Sequence, residues 1–329
     1  MDFDRFVQDD LAEVEKEIKS IIPREPEGVY DMLGGYIFRG GKRIRPALAM
    51  LSFRALGGKD RENALKASAL LELFHNFTLI HDDIEDDSRF RRGKPTLHIS
   101  HGIPIALNSG DALYTVVWNW FLALGMPPER RIRLASISGC AFQRVVEGQG
   151  IELDWYKRKK IAVSEEEYFT MVGGKTGALM GASAEAGAYL SGADAQACEN
   201  FRMFGESLGI AFQIQDDILN VAGEFEKYKK EIGGDITEGK RTLMVIHALA
   251  HAGPGEKKRL EEILVSNTRD RKKIGYAISL LSKYDSINYA KLKAREFVED
   301  ASAFLSALPQ SREKDALRKL ADYAINREF

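Results

Sequence analysis

The chain has 329 residues, of which 47 are Lys or Arg and 49 are Asp or Glu, so its formal net charge is −2. A chain this close to neutrality lacks the overall positive charge of a nucleic-acid-binding protein, so a local cluster of basic residues must hold any polyanion that it binds. We find no basic leader before an apolar core, and no uncharged stretch that exceeds the lower length limit of a bilayer span. We therefore expect a cytoplasmic protein that neither binds nucleic acid nor spans a membrane.

Apolar residues recur with a helical period along almost the whole chain, and Gly or Pro residues separate the periodic segments. The pattern predicts helices near residues 2–20, 27–37, 44–56, 61–88, 103–125, 129–156, 165–190, 194–221, 239–252, 256–266, 270–283, 285–307 and 311–327. No segment alternates like a strand, and no boundary resembles a flexible linker. We therefore predict an all-α protein with one domain over residues 1–329.

Two local features of the sequence can be compared directly with a structure. Ser164 and Glu167 match a capping box at the start of a helix. Cys140 and Cys198 occupy apolar or small-residue segments, which are typical of buried, reduced thiols rather than of a disulfide framework.

The first group of candidate functional residues is acidic and ends an apolar helical segment. At about 100° per residue, Asp82, Asp83 and Asp86 lie within about 100° of arc on one face of a helix. Three carboxylates on one face repel one another unless a cation lies between them. Taken alone, such a cluster is more often a solvated acidic helix end.

A second acidic cluster favours the metal interpretation. Asp216, Asp217 and Asn220 repeat the spacing after another apolar segment, and Gln213 falls within the same arc. Oxygen ligands favour a hard cation such as Mg²⁺, which is normally bound by one or two carboxylates together with substrate phosphates. The two clusters therefore indicate that the chain binds a diphosphate through Mg²⁺.

Three basic segments could neutralise such a diphosphate. They lie at residues 40–46, 89–96 and 229–242. Arg side chains offer paired donors and Lys side chains offer point charges, which are the groups that phosphate recognition uses. Each segment taken singly is more often a surface patch.

Together, these segments make the sequence strongly similar to the trans-isoprenyl diphosphate synthases, the polyprenyl synthetase family. Six motifs occur in the order found in that family: Gly40-Gly41-Lys42-Arg43-Ile44-Arg45-Pro46, Asp82-Asp83-Ile84-Glu85-Asp86, Arg91-Arg92-Gly93-Lys94-Pro95-Thr96, Lys175-Thr176-Gly177, Phe212-Gln213-Ile214-Gln215-Asp216-Asp217 and Gly239-Lys240-Arg241-Thr242-Leu243. One aspartate-rich motif is weak evidence, whereas six ordered motifs along nearly the whole chain are strong evidence.

The resemblance implies an isoprenoid synthase-like bundle of long, mostly antiparallel helices around a central cavity, usually as a homodimer. It also implies a Mg²⁺-dependent prenyltransferase that condenses isopentenyl diphosphate with dimethylallyl, geranyl or farnesyl diphosphate. Three Mg²⁺ ions per active site are expected when substrate is bound. The allylic diphosphate would ionise, and the alkene of isopentenyl diphosphate would attack the resulting cation.

The same resemblance implies the roles of individual residues. Those expected to contact Mg²⁺ are Asp82, Asp83, Asp86, Asp216, Asp217 and Asp235. Those expected to bind the allylic diphosphate are Arg91, Lys175, Lys230 and Lys240. Those expected to bind isopentenyl diphosphate are Gly41, Lys42, Arg45, His75 and Arg92. Those expected to act on the allylic cation and the departing diphosphate are Lys175, Thr176, Gln213 and Lys240.

Two positions depart from the family pattern. Asn220 stands where many members have Asp, and a neutral oxygen there would bind Mg²⁺ less strongly. Lys230 lacks the glycine that often precedes this lysine in the family.

Product length in this family depends largely on bulk just before the first aspartates. Phe77 lies five residues before Asp82, with Phe74 about one turn further back and Thr78 four residues before Asp82. A single aromatic residue at the fifth position resembles the archaeal geranylgeranyl diphosphate synthases, so we predict that product. An ideal helix, however, turns Thr78 rather than Phe77 towards Asp82, and a farnesyl or mixed product is the alternative.

Other functions are less consistent with these motifs. A terpene synthase-like cyclase also ionises prenyl diphosphates, but it does not need the basic residues expected to bind isopentenyl diphosphate. A helical di-iron protein needs two Glu-x-x-His pairs, and we find only Glu72 with His75. The apolar segment at residues 112–128 is our candidate for part of a dimer interface.

Overall fold

The structure is a computed structural model that describes residues 2–222 and 233–326, with side chains from residue 6 onward. Lys230, which we predict to bind the allylic diphosphate, lies outside the described residues, so its role stays a prediction. Helices form nearly all the regular structure in the described ranges, and this confirms the all-α prediction.

The first ten helices and one turn of π-helix run from the amino terminus to residue 222. In chain order they are α1 (Asp2–Ile21), α2 (Glu27–Ile37), α3 (Ile44–Ala55), α4 (Arg61–Glu85), α5 (Leu97–His101), α6 (Ile103–Ala123), α7 (Pro128–Lys157), α8 (Glu165–Val172), the π turn (Gly173–Gly177), α9 (Ala178–Ser191) and α10 (Ala195–Ala222). The later helices are α11 (Gly234–Glu238), α12 (Leu243–His251), α13 (Pro254–Val265), α14 (Arg271–Lys283), α15 (Ser286–Phe304) and α16 (Arg312–Asn326). Two strands, β1 (Phe90–Arg91) and β2 (Lys94–Pro95), form an antiparallel pair.

The predicted capping box is present at the start of α8. Ser164 Oγ accepts a hydrogen bond from the backbone N–H of Glu167 at 3.1 Å, and Glu167 Oε2 accepts one from the Ser164 N–H at 2.9 Å. These bonds satisfy backbone donors that the helix itself leaves unpaired.

The segment after α4 differs from the helix predicted to residue 88. The helix ends at Glu85, and Asp87 adopts a positive φ of 50°. Arg92 and Gly93 then connect the two strands with positive φ angles of 53° and 74°, as a type I′ hairpin turn requires. Strands of two residues are too short to show alternation, which is why the sequence did not predict them.

The first compact unit comprises Met1–Ala141, Leu179–Gly205 and Ala307–Lys319. Its α4 packs against α1, α3 and α6. Fully buried side chains from these helices form its core, among them Leu48, Leu70, Phe74, Leu113 and Phe121. This packing fixes the carboxyl-terminal end of α4, which carries the first acidic cluster.

The second compact unit comprises Phe142–Ala178, Glu206–Ser306 and Leu320–Phe329. Its α12 packs against α13, α14 and α15. Its apolar core includes Tyr168, Ile214, Met244, Leu260 and Leu281. This unit carries the second acidic cluster. The prediction of one domain over residues 1–329 stays a prediction.

The two cysteines differ in exposure. Cys198 is buried as expected, and its burial together with the charge of Glu185 raises the pKa of its thiol to about 11. Cys140 is exposed, so the expectation of two buried thiols was wrong for this residue. The apolar and small residues beside Cys140 in the sequence therefore do not indicate that its side chain is buried.

Within the described ranges, none of the helices combines the length and apolarity needed to cross a bilayer.

Substitution of Gly187 tests the close packing of α9 on α3. A Cβ at this position would lie 2.1 Å from the carbonyl oxygen of Ala49, so Gly187→Ala must push the two helices apart. We expect it to lower the free energy of unfolding by about 1–3 kcal/mol. Guanidinium unfolding followed by circular dichroism measures this change.

The matched control is Gly275→Ala in α14. No atom lies within 4 Å of a Cβ built at Gly275, and alanine favours the helix there. This substitution should raise the free energy of unfolding by about 0.5–1 kcal/mol. Equal effects of the two substitutions would contradict the packing described for Gly187.

Candidate functional site

The first acidic cluster lies at the end of α4, and Asp83 is its buried member. Asp83 is 1% exposed and accepts hydrogen bonds from Tyr36 Oη at 2.7 Å and from Arg91 Nε at 2.6 Å. Burial raises the pKa of Asp83, and the charge of Arg91 opposes that rise. Asp83 therefore anchors Arg91, whose Nη2 also lies 3.5 Å from Asp82 Oδ2. Asp82 and Asp86 are half-buried.

A glycine loop before α3 holds Arg92. Arg92 Nη1 donates a hydrogen bond to the carbonyl oxygen of Gly40. The φ of Gly41 is +138°, and a Cβ on Gly41 would lie 2.7 Å from Arg92 Nη2. Gly41 therefore lets the guanidinium of Arg92 approach the loop backbone closely.

A buried ion pair supports the same loop from α4. Arg43 Nη1 bonds Glu72 Oε1 at 2.7 Å, and Arg43 Nη2 donates to the carbonyl oxygen of Ile37 at 2.8 Å. Arg43 and Glu72 are 6% and 3% exposed. Glu72 therefore supplies negative charge to the loop. Lys42, immediately before Arg43, is half-buried.

We name four residues around this loop and hairpin the arginine cluster: Arg43, Arg45, Arg91 and Arg92. Burial and the positive charge of this cluster lower the pKa of His75 well below its ordinary value, so His75 is neutral near pH 7. Burial lowers the pKa of Arg45 to about 10, against the opposing charge of Glu72. The buried Nε of Arg45 has no hydrogen-bond partner. An unpartnered guanidinium N–H amid excess positive charge is the arrangement expected of an anion-binding site.

The second acidic cluster also has a buried member that accepts a hydrogen bond from a tyrosine. Asp217 is 7% exposed and accepts hydrogen bonds from Tyr168 Oη and Gln213 Nε2, both at 2.9 Å. Burial, followed by the charges of Asp235 and Asp216, raises the pKa of Asp217 to about 8. These carboxylates are close enough to disfavour one another's charge, and a bound cation would remove that penalty.

The donor set fits Mg²⁺ in its chemistry. Over the described ranges, no three His, Cys, Asp or Glu side chains are already arranged around a metal position. Mg²⁺ does not require such a cage, because it keeps several waters and takes phosphate oxygens as further ligands. The mutually repelling carboxylates beside Asp217 supply the oxygen donors and the negative charge that such an ion needs.

Lys175 lies on the π turn between α8 and α9. Its Nζ bonds Glu152 Oε2 at 2.5 Å, and the Oε1 atom of Glu152 accepts a hydrogen bond from Tyr156 Oη at 3.0 Å. The prediction of one helix over residues 165–190 missed this turn. Single π turns inside helices occur frequently at functional sites.

Glycines on both sides enclose the π turn. A Cβ on Gly148 of α7 would lie 2.3 Å from the backbone nitrogen of Lys175. A Cβ on Gly209 of α10 would lie 2.7 Å from Cα of Gly177. The widened turn therefore fits only because its neighbours have no side chains at these points.

Thr176 connects the π turn with the second acidic cluster. Its Oγ1 donates to Gln213 Oε1 at 2.9 Å, and Gln213 in turn donates to Asp217. The structure thus brings together two residues that were predicted to line the allylic cation.

Lys240 and Asp235, which were predicted to bind the allylic diphosphate and Mg²⁺ respectively, lie in contact. Lys240 Nζ lies 3.3 Å from Asp235 Oδ1 and 2.8 Å from Glu238 Oε2. The backbone N–H of Lys240 also bonds the carbonyl oxygen of Asp235 at 2.8 Å. Both residues therefore share one turn around α11.

The predicted product-length residues have different environments. Phe77 packs against His81 and Tyr114, with ring centroids 4.6 and 5.1 Å apart. Phe74 lies 5.4 Å from Phe77. Thr78 Oγ1 donates to the carbonyl oxygen of His75, within its own helix.

Four side chains that bond residues of the candidate site were not predicted from the sequence: Tyr36, Glu72, Glu152 and Tyr168. Glu72 had a detectable signal, because it is a single carboxylate among Leu70, Leu71 and Leu73 on a buried segment. The two tyrosines had no such signal, because a tyrosine near apolar residues in the sequence is typical of an ordinary core residue.

Comparisons with known proteins identify the family and the fold of the chain. A family model described as polyprenyl synthetase matches residues 27–281. A short chain isoprenyl diphosphate synthase from Methanothermobacter thermautotrophicus is 38% identical over 311 residues, which cover 94% of each chain. A geranylgeranyl pyrophosphate synthase from Geoglobus acetivorans is 37% identical, with 98% of each chain covered.

A solved structure shows the same fold. The crystal structure of a geranylgeranyl pyrophosphate synthetase from Pyrococcus horikoshii matches with a TM-score of 0.92 and 34% identity, and 99% of each chain is covered. The six motifs, the fold and relatives that span nearly the full length agree. The chain belongs to the polyprenyl synthetase family.

Proposed function

We propose that this prenyltransferase condenses isopentenyl diphosphate with dimethylallyl, geranyl and farnesyl diphosphates, and that its main product is geranylgeranyl diphosphate. The observation that carries the proposal is the arginine cluster with the buried, unpartnered Nε of Arg45. Excess positive charge around neutral His75 suits the diphosphate of isopentenyl diphosphate, with Lys42 and Gly41 in the same loop.

Prenyl diphosphate synthases generally use Mg²⁺. We propose that three ions bind with substrate, and that their positive charge offsets the charge that develops on the departing diphosphate. The carboxylates proposed to hold them are Asp82, Asp83, Asp86, Asp216, Asp217 and Asp235. Asp83 is already bonded to Arg91 and Tyr36, and Asp82 Oδ2 lies 3.5 Å from Arg91 Nη2, so an ion bound here would share these carboxylates with Arg91.

Fixed cations complete the stabilisation of the leaving group. Arg91, Lys175 and Lys240 are proposed to bind the allylic diphosphate, with Lys230 as a further ligand. Lys175 would exchange Glu152 for a phosphate oxygen. Charges held in place by Asp83 and Asp235 need little reorganisation when the carbon–oxygen bond breaks, so they favour the transition state over the ground state.

The remaining groups act on the carbon skeleton. The hydroxyl of Thr176 and the amide of Gln213, which bond each other, would place oxygen dipoles beside the allylic cation. The alkene of isopentenyl diphosphate forms the new carbon–carbon bond, and the released diphosphate accepts the proton that is then lost. No protein nucleophile is required.

The decisive test is incorporation of labelled isopentenyl diphosphate by the purified chain with Mg²⁺ and dimethylallyl diphosphate. Arg45→Gln should raise the KM for isopentenyl diphosphate about 10- to 100-fold, because it removes a charged hydrogen-bond donor. The KM for the allylic substrate should change less. Steady-state kinetics on both substrates separate the two effects.

The control is Arg259→Gln, which alters an exposed arginine packed on the ring of Tyr276. It should leave both KM values unchanged. Absence of incorporation by the wild-type chain would refute the proposed function, and hydrocarbon products from a prenyl diphosphate alone would support the cyclase instead.

The structure gives a physical basis for the predicted product length. Phe77 packs against Tyr114 of α6, whereas the Thr78 hydroxyl is bonded within its own helix. We therefore propose Phe77 with Phe74, rather than Thr78, as the barrier to chain growth. The geranylgeranyl synthases among the relatives support a product of twenty carbons.

Phe77→Ala should extend the main product beyond twenty carbons, because it removes the ring that blocks growth. Tyr114→Ala should act in the same direction by removing the support of Phe77, while Tyr114→Phe keeps the ring and should leave the product unchanged. Chromatography of the dephosphorylated products measures chain length. Unchanged products from Phe77→Ala would place the barrier elsewhere.

We further propose that the chain forms a homodimer through α5, α6 and the start of α7. Several large apolar side chains are exposed there: Ile99, Ile103, Ile105, Leu107, Leu122 and Ile132. An apolar surface of this kind is typical of a contact with another protein. The segment at residues 112–128 predicted for the interface includes Leu122.

Leu122→Glu should shift the sedimenting species from twice the chain mass of 36.8 kDa to the single chain, because it buries a charge in the proposed contact. Leu292→Glu provides a matched control, since Leu292 is 55% exposed on α15 and Leu122 is 61% exposed on α6. A dimer that survives Leu122→Glu, or a wild-type monomer, would contradict the proposed interface.

A further inference from the structure

Asn220 occupies the last position of the second acidic motif, yet its amide oxygen is already engaged by the backbone. Asn220 Oδ1 accepts a hydrogen bond from the N–H of Asp235 at 3.0 Å. Its main-chain carbonyl oxygen accepts another from the N–H of Gly233 at 2.8 Å. The residue is 7% exposed, so both bonds lie away from solvent.

The bonded residues are those that bring Asp235 into the second acidic cluster. Gly233 has a φ of +77°, and a Cβ there would lie 2.4 Å from Ile274 Cγ2, so only glycine fits this turn. Asp235 then pairs with Lys240 through both its side chain and its backbone. Asn220 thus bonds Asp235, and Asp235 in turn contacts Lys240.

We infer that Asn220 is a positioning residue that holds Asp235, and through it Lys240, in place for the diphosphate and its metal ions, and is not itself a metal ligand. The identity of these ligands rests on the proposed function. An amide suits the position, because three carboxyl groups, those of Asp216, Asp217 and Asp235, already belong to this cluster. A carboxylate there would add one more negative charge, whereas the amide accepts the same hydrogen bond without one.

Mn²⁺ binding tests the inference without requiring catalysis. The free-ion signal in electron paramagnetic resonance measures Mn²⁺ binding in the presence of inorganic diphosphate. Asn220→Leu should weaken binding about fivefold, which corresponds to the loss of one positioning hydrogen bond. Asn220→Ala is the second variant if leucine disturbs folding, as judged by circular dichroism.

A double-mutant cycle with Asp235→Ala separates positioning from direct ligation. If Asn220 acts through Asp235, Asn220→Leu should change Mn²⁺ binding less than about twofold once Asp235 is alanine. If Asn220 were an independent ligand, the two losses would multiply, and the inference would be wrong. Mn²⁺ binding by the single Asn220→Leu variant as tight as that of the wild-type chain would also overturn the inference.

Asn63→Leu is the matched control. Asn63 is 5% exposed and bonds Asp60 and the carbonyl oxygen of Gly125. Asn63→Leu should lower the melting temperature, because it removes the hydrogen bonds of a buried asparagine, and it should leave Mn²⁺ binding unchanged. If the double-mutant cycle is non-additive but the wild-type chain does not incorporate labelled isopentenyl diphosphate, the proposed function is wrong and the positioning role of Asn220 stands. If the cycle is additive and turnover is normal, the positioning role is wrong and the proposed function stands.

Discussion

The arrangement of the candidate site depends on one constraint, the high free energy of a charge that is buried in protein. An isolated ionised group in the interior loses its hydration, so it must be paired, hydrogen-bonded or neutralised. Asp83 has Arg91 and Tyr36, Arg43 has Glu72, and Asp217 has Tyr168 and Gln213. Each pairing also fixes the orientation of a group that the proposed chemistry uses. Arg45 Nε lacks such a partner, which leaves a buried donor for an anion.

Much of the fold was predictable, because the helices are long and their apolar faces repeat with one period. The acidic motifs were predictable for a related reason, since helical spacing places Asp82, Asp83 and Asp86 on one face without any knowledge of tertiary contacts. The partners of these residues were not predictable. Tyr36 lies 47 positions before Asp83, and Tyr168 lies 49 positions before Asp217. Such pairs depend on how helices pack, which local pattern does not encode.

The π turn shows a second limit of sequence reasoning. Gly173–Gly177 lies within a pattern that continues as a helix on both sides, and its glycines suggest only close packing. The wider turn exists because Gly148 and Gly209 leave room for it, and both are distant in sequence. Asn220 is a comparable case. Its place in the motif suggested a weak metal ligand, whereas its contacts show that its oxygen bonds the backbone of Asp235.

The arginine cluster also bears on how turnover ends. A site built from fixed guanidinium groups recognises phosphate oxygens and does not distinguish strongly between one diphosphate ester and another. Each condensation releases inorganic diphosphate, an anion that the same groups attract. On the proposed function, each turnover therefore releases an anion that competes with isopentenyl diphosphate for the arginine cluster.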